Sequence, residues 1–148
     1  MTHEPRVVSF IIDKPFPEAL HTLRGALTRE GLSIPSEVNT SERLRAELGV
    51  VVKESTILYV DTPILLLEAA LLTPAGCLYV PEPVAISSSG RHSTAVVRSI
   101  KPLLDQRLPF SVRDAVLTLH ERILRAIQTI GHPESVFQLA EDSHSLSA

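Results

Sequence analysis

The chain has 148 residues, of which 44% are hydrophobic, and a formal net charge of −3, so it can bury the core of one ordinary domain. Its basic residues are interleaved with acidic ones, which argues against a nucleic-acid partner, since phosphate binding needs a clustered basic surface. The longest apolar run, residues 64–72, contains Glu68 and is shorter than the roughly 20 residues of a membrane span. No signal peptide is evident, so we expect a cytoplasmic protein without a membrane partner.

Strand and helix patterns alternate along the chain. Alternating β-branched residues indicate strands, and apolar residues at helical spacing indicate helices. The predicted elements, in chain order, are a strand at 6–12, a helix at 16–31, a strand at 32–38, a helix at 40–49, a strand at 55–60, a helix at 62–72, strands at 76–87 and 92–100, and a helix at 112–130.

Hydroxyl residues and proline mark the starts of three of these helices. Thr40 or Ser41 is expected to cap the second helix, Thr62 the third and Ser111 the last. Pro63 then occupies the first turn of the third helix, where its missing N–H costs nothing.

The order of the elements favours an α+β fold. The strands at 76–87 and 92–100 are joined by a polar loop and form a predicted hairpin, while Pro35 indicates an edge position or a bulge for the second strand. We therefore predict a mixed or antiparallel sheet of about five strands, with helices packed mainly on one face and a long C-terminal helix. Residues 1–131 are expected to form a single domain, followed by a flexible tail at 132–148.

Three prolines, Pro63, Pro74 and Pro81, punctuate the middle of the chain behind the stretch LGVVVKESTILYV. Their spacing and apolar surroundings resemble the family named domain of unknown function 302, and the resemblance covers roughly residues 6–102. It implies an α+β fold and a dimer. It implies no activity, because the family has no established one to carry over.

The polar positions of this chain depart from the family pattern. Where the family has Asn-Pro, Asp-Pro and Leu-Pro, this chain has Thr62-Pro63, Thr73-Pro74 and Val80-Pro81. Some members place cysteines at the positions that Asp61 and Glu82 occupy here, so the resemblance carries no thiol chemistry over. A pair of carboxylates stands in their place.

Asp61 and Glu82 are the first candidate site. If the family geometry holds, they lie at equivalent strand ends, where two close carboxylates could hold Mg²⁺ or Ca²⁺ or act as an acid–base pair. The alternative is that Asp61 caps the helix that begins near Pro63 and that Glu82 is solvated between two prolines. No further metal-ligand spacing accompanies the pair, and no cofactor is indicated.

Other candidate residues lie in loops or next to apolar stretches. In the polar loop SSSGRHST, Arg91 and His92 could hold an anion, or the loop could be an ordinary hairpin turn. Cys77 is expected to be a buried, inert thiol. His120 is expected at the flank of the apolar stripe of the last helix.

The helix at 62–72 is apolar on nearly all sides. Such a helix must be buried nearly all round, yet one face of a helix in a small α+β domain is normally wet. Either Glu68 marks the wet strip, or the helix packs against a second subunit. We expect a symmetric homodimer.

The first functional hypothesis is a non-enzymatic dimer that binds a small ligand or a partner protein. Its expected pocket is lined by Tyr59, Pro63, Leu66, Tyr79 and Val80, and N–H groups at the helix start could receive an anion. The candidate binding residues are Tyr59, Asp61, Thr62, Pro63, Tyr79, Glu82, Arg91 and His92. The alternative is an enzyme or metal site on Asp61 and Glu82. A third possibility is a structural partner that docks through the last helix or the tail.

Overall fold

The computed structural model describes residues 7–104 and 107–134. Its elements, in chain order, are β1 (Val7–Ile12), α1 (Phe16–Arg29), β2 (Ser33–Val38), α2 (Thr40–Leu48), β3 (Ser55–Asp61), α3 (Pro63–Ala70), a 3-10 helix (Pro74–Leu78), β4 (Glu82–Ser89), β5 (His92–Arg98), α4 (Lys101–Leu104), α5 (Phe110–Gln128) and β6 (His132–Pro133). The predicted order of strands and helices is confirmed. The structure adds the 3-10 helix, α4 and β6.

The strands form one sheet in the order β2-β3-β4-β5-β1-β6, and every neighbouring pair is antiparallel. This confirms the predicted α+β class. Of the two predicted kinds of sheet, mixed or antiparallel, the antiparallel one is observed. Strand β2 lies at the edge, and its register with β3 shifts between Ser33 and Ser36. Pro35 therefore lies on an edge strand and at an irregularity in the pairing, the two positions that the sequence indicated for it.

The sheet continues just past the predicted boundary at residue 131. Strand β6 pairs with β1, and the backbone N–H of Glu134 donates to the carbonyl of Ser9 at 2.9 Å. The rest of the predicted tail, residues 135–148, lies outside the described residues.

Helices cover one face of the sheet, as predicted. Alternate residues of the four central strands point to this face, as strand geometry requires. The buried ones are Phe10, Ile12, Leu58, Val60, Val84, Ile86, Ala95 and Val97. Helices α1 and α5 pack on them, and α3 packs on α5. Fully buried helix residues such as Leu23, Leu119 and Ile123 each contribute roughly 1.5–3 kcal/mol by leaving water.

Strand β4 begins at Glu82, later than the predicted start at Gly76. Gly76 to Leu78 instead belong to the 3-10 helix, which Thr73 caps, since its Oγ1 accepts from the N–H of Ala75 at 3.2 Å. Proline at the first position of this helix loses no hydrogen bond. The predicted long strand is therefore wrong in its first half.

Helix α2 is capped by Asn39 rather than by Thr40 or Ser41. The Oδ1 atom of Asn39 accepts from the N–H of Glu42 at 3.0 Å, which satisfies a donor that the helix itself leaves unpaired. The Ser41 hydroxyl instead accepts from the N–H of Ser55 at 3.1 Å. This bond ties the start of α2 to the start of β3.

Helix α5 begins at Phe110, after Pro109, so the prediction that Ser111 caps it is wrong. Ser111 lies inside the first turn, and its hydroxyl oxygen is buried without a hydrogen-bond partner among the described residues. The predicted linker before α5 contains the short helix α4. Neither α5 nor another helix in the described ranges has the apolar length that a membrane span requires.

Candidate functional site

Two candidate residues lie at the same end of the sheet. Asp61 is the last residue of β3, Glu82 is the first residue of β4, and Glu82 pairs with Val60 across the two strands. Because side chains alternate along a strand, Glu82 and Val60 share the face that the helices cover. Asp61 falls on the opposite face. The register therefore separates the two carboxylates that the sequence would place in one site.

Glu82 is paired with a histidine. Its Oε1 atom lies 2.7 Å from Nδ1 of His120 on α5, and both side chains are buried. The second carboxyl oxygen, Oε2, is buried without a hydrogen-bond partner among the described residues. The expectations that Glu82 is solvated and that His120 lies at the flank of the apolar stripe are therefore wrong.

The sequence of α5 contained a signal for this pair. Val116, His120, Ile123 and Ile127 follow one another at intervals of four, three and four residues, which is the spacing of one helix face. A polar residue on a core face needs a buried partner. The alternation of β4 puts Glu82 on the core face as well, so the two patterns together indicate their contact.

Asp61 is also buried. Burial raises the pKa of its carboxyl group, because the charged form is poorly solvated there. The cap of α3 comes from Thr62, whose hydroxyl accepts from the N–H of Leu65 at 3.1 Å, and Pro63 takes the first helical position. The predicted roles of Thr62 and Pro63 at the start of α3 are confirmed.

We expect the Asp61→Asn variant to gain stability relative to the unsubstituted protein as the pH rises. A carboxyl group whose pKa is raised by folding stabilises the fold while it is protonated, and this contribution is lost as pH rises through the folded-state pKa. The change therefore begins near pH 3.8, the ordinary value, and extends upward. Urea unfolding of both proteins from about pH 4 to about pH 7 measures it.

The matched control is Asp114→Asn, at an exposed carboxylate of α5. A rise of the same size in this variant would mean that the effect does not come from the burial of Asp61. If the Asp61→Asn difference is constant with pH, the burial of Asp61 does not affect its ionisation.

The residues of the predicted pocket are dispersed. Val80 is fully buried in the core, Pro63 is exposed at the helix start, and Tyr79 and Leu66 are half-buried. Tyr59 falls on the sheet face opposite the helices. Grooves of about 250 Å³ and 490 Å³ lie elsewhere, along α2 and beside α4.

The loop with Arg91 and His92 is a tight turn at the other end of β4. Ser89 pairs with His92, which leaves Gly90 and Arg91 as the two turn residues. Gly90 has a φ of 74°, as a hairpin turn with glycine at its first central position requires. Strand β4 separates this turn from Glu82 by roughly 23 Å, at about 3.3 Å per residue. The two groups of candidates therefore do not meet.

Metal-ligating side chains are not clustered in the described part of the chain. No group of three or more histidine, cysteine, aspartate or glutamate residues there could hold a metal ion. Cys77 is exposed on the 3-10 helix. The expectation that it is buried is wrong, because its apolar surroundings form a surface helix rather than a strand inside the sheet.

Helix α3 has an apolar outward side. Ile64, Leu67 and Leu71, at positions i, i+3 and i+7, are exposed to 70%, 58% and 68%, whereas Glu68 is half-buried. The solvent-exposed side of this helix is therefore leucine-rich, and Glu68 does not lie at its centre. Leu72 and Leu78, further along the chain, are equally exposed. We call the five residues together the α3 surface: Ile64, Leu67, Leu71, Leu72 and Leu78.

Comparisons with known proteins agree with this fold. A family model described as domain of unknown function DUF302 matches residues 8–130. The crystal structure of an uncharacterized conserved protein DUF302 from Bacillus stearothermophilus is similar, with a TM-score of 0.71 and 14% identity over 86% of this chain and 99% of that chain. At this identity the likeness shows the fold alone. The search of curated proteins finds no match. Since the family model spans most of the chain, the protein belongs to the family of domain of unknown function 302.

Proposed function

We propose that this protein is a non-enzymatic binding protein that acts as a homodimer, with the α3 surface as its contact region. The observation that carries the proposal is the outward row of Ile64, Leu67 and Leu71 on a helix whose opposite side packs on α5. Large contiguous apolar patches on a soluble domain mark interaction sites. A small-molecule ligand and a cytoplasmic location stay predictions from the sequence.

The charge of α3 favours an apolar partner. Glu68 is the one charged residue of this helix, and it is half-buried. A partner that recognised charge would find little to pair with on this surface. A second copy exposes apolar side chains as well, so two copies can exclude water from each other's apolar surface.

We expect the unsubstituted protein to be a dimer at micromolar concentration and Leu67→Asp to be a monomer. An aspartate at the centre of the contact leaves a charge without a partner in each copy, which weakens association by at least about 100-fold. Native mass spectrometry measures the subunit number and, in the same spectrum, any small molecule that the protein retains.

Phe110→Ser is the matched control, because Phe110 is an exposed apolar residue outside the α3 surface. This variant should remain a dimer. A monomeric unsubstituted protein would contradict the homodimer, and a dimer without extra mass would contradict the retained small ligand. Far-UV circular dichroism of Leu67→Asp establishes that the loss of dimer is not a loss of fold.

A second candidate function is proton transfer at Glu82 and His120, which replaces the predicted pair of Asp61 and Glu82. A carboxylate that orients an imidazole is a common general-base arrangement, and the unpartnered Oε2 atom favours it. Both side chains are buried, however, and the described grooves along α2 and beside α4 are lined by other residues. The binding function therefore has the stronger support.

A further inference from the structure

Residues 39–54, which we call the α2 arm, expose a second apolar cluster. No residue of α2 is buried, and an isolated helix of this length is marginal in water. Three consecutive valines follow Gly49, the residue that ends α2, and one of them, Val51, is 83% exposed. The five exposed apolar side chains of the arm are Leu44, Leu48, Val50, Val51 and Val52.

The arm is held to its own chain by polar contacts. Asn39 caps α2, and the hydroxyl groups of Thr40 and Ser41 bond to Ser55 at the start of β3. These contacts fix the position of the helix without covering its apolar side chains. A groove of about 250 Å³ between α2 and the end of β2 is lined by Val38, Thr40, Arg43, Leu44, Glu47 and Leu48.

We infer that the α2 arm of each copy covers the α3 surface of the other copy in the dimer. This inference rests on the proposed homodimer and names the occupant of the α3 surface. Of the twelve exposed large apolar residues in the described ranges, ten belong to these two clusters. A dimer that buries the α3 surface alone would leave the arm exposed.

The positions of the two clusters permit both to be covered at once. The arm immediately precedes β3 in the chain, and α3 immediately follows β3. The two clusters therefore lie at opposite ends of this strand, which is roughly 23 Å long. A two-fold axis perpendicular to β3 exchanges these ends between copies. One interface then contains two identical contacts, each between an arm and an α3 surface.

Charge distinguishes this arrangement from a contact between two α3 helices. Pairing α3 with its own copy brings two Glu68 residues toward each other, which is unfavourable. The arm instead carries the exposed Lys53, followed by the exposed Glu54, beside its valines, so it offers Glu68 a cation, which a second α3 helix does not. Within α2 the charges pair with each other, Arg43 with Glu47 at 3.4 Å and Arg45 with Glu42.

The size of the contact also favours the arm. A stable interface involves about 20–30 residues from each partner. Of residues 63–78, which carry the α3 surface, thirteen are not buried within the subunit, and none of the sixteen residues of the arm is buried. The α3 segment by itself is too short for an interface of the usual size, whereas the two segments together reach it.

The test is a charge exchange measured by sedimentation equilibrium of the full chain. Lys53→Glu and Glu68→Lys should each weaken the dimer roughly tenfold or more, because each places like charges together twice per dimer. The double variant should restore the dimer. Glu68→Gln should weaken association slightly, because it removes the attraction to Lys53.

Other outcomes separate the inference from the proposed function. If the dimer is insensitive to Lys53→Glu and becomes tighter in Glu68→Gln, the two α3 helices contact each other; the arm inference is then wrong and the homodimer stands. If the unsubstituted protein is monomeric, the homodimer itself is wrong. As a second measurement, Val51→Cys should cross-link to the exposed Cys77 of the other copy under a short bismaleimide. The unsubstituted chain, which has Cys77 alone, should not cross-link.

Discussion

The Gly76→Ala variant is expected to lose about 3 kcal/mol or more of its free energy of unfolding. A β-carbon at position 76 would lie 1.7 Å from the carbonyl oxygen and 2.5 Å from the carbonyl carbon of Ala69. Both atoms belong to the backbone of α3, so no side-chain rotation relieves the clash. The 3-10 helix must move away from α3, and overpacking of this kind costs about 1–3 kcal/mol and occasionally more. Urea unfolding followed by circular dichroism measures the loss.

Gly25→Ala is the control for this prediction. A β-carbon there would meet the terminal nitrogen of the flexible Arg29 side chain at 3.3 Å, which can move aside. Alanine in a helix interior is favoured over glycine by roughly 0.5–1 kcal/mol, so this variant should be slightly more stable. If Gly76→Ala behaves in the same way, the 3-10 helix does not pack on α3 as closely as the structure shows.

The order of the elements could be predicted because it depends on local patterns. Alternation identified the strands, helical spacing identified the helices, and Thr62 and Pro63 marked the start of α3 correctly. The predictions were wrong where a short sequence pattern is compatible with two kinds of local structure. Gly76 to Val80 is apolar enough for a strand, but the cap by Thr73 and the close packing of glycine on α3 make Gly76 to Leu78 part of a 3-10 helix.

The candidate site was predicted less well than the fold, because it depends on contacts between distant parts of the chain. Asp61 and Glu82 were correctly expected at the same end of the sheet, yet the alternation along β3 and β4 gives them opposite faces. The partner of Glu82 is His120, 38 residues further along. The residue spacing within β4 or within α5 alone does not predict a contact between Glu82 and His120.

The expectation of an unusual environment for α3 has a physical basis in its composition. A helix that is apolar all round cannot bury every side within a domain of this size. The apolar side chains that the domain does not bury lie on the outward side of α3, where Leu67 is exposed and Glu68 is only partly exposed. No comparable pattern indicated exposed apolar residues around α2, because its leucines are separated by charges and its valines follow the helix end.

The His120→Leu variant is expected to lose about 3–5 kcal/mol of its free energy of unfolding. Removing one partner of a buried carboxylate–imidazole pair leaves the other without compensation, and that cost is of this order. In this protein the loss falls on Glu82, whose Oε2 atom already has no partner among the described residues. With Oε1 also unpaired, the whole carboxyl group would be buried without a hydrogen bond.

A double-variant cycle with Glu82→Met tests the pair as a unit. Methionine has about the volume of glutamate and no charge, so Glu82→Met leaves His120 unpaired, and we expect a loss similar to that of His120→Leu. The combination should recover most of the stability, because replacing both partners of a buried pair by apolar side chains is often neutral or stabilising. Guanidinium unfolding of the four proteins gives the coupling energy. Strictly additive losses would mean that Glu82 and His120 do not depend on each other, and the 2.7 Å contact between them would then contribute nothing to the fold.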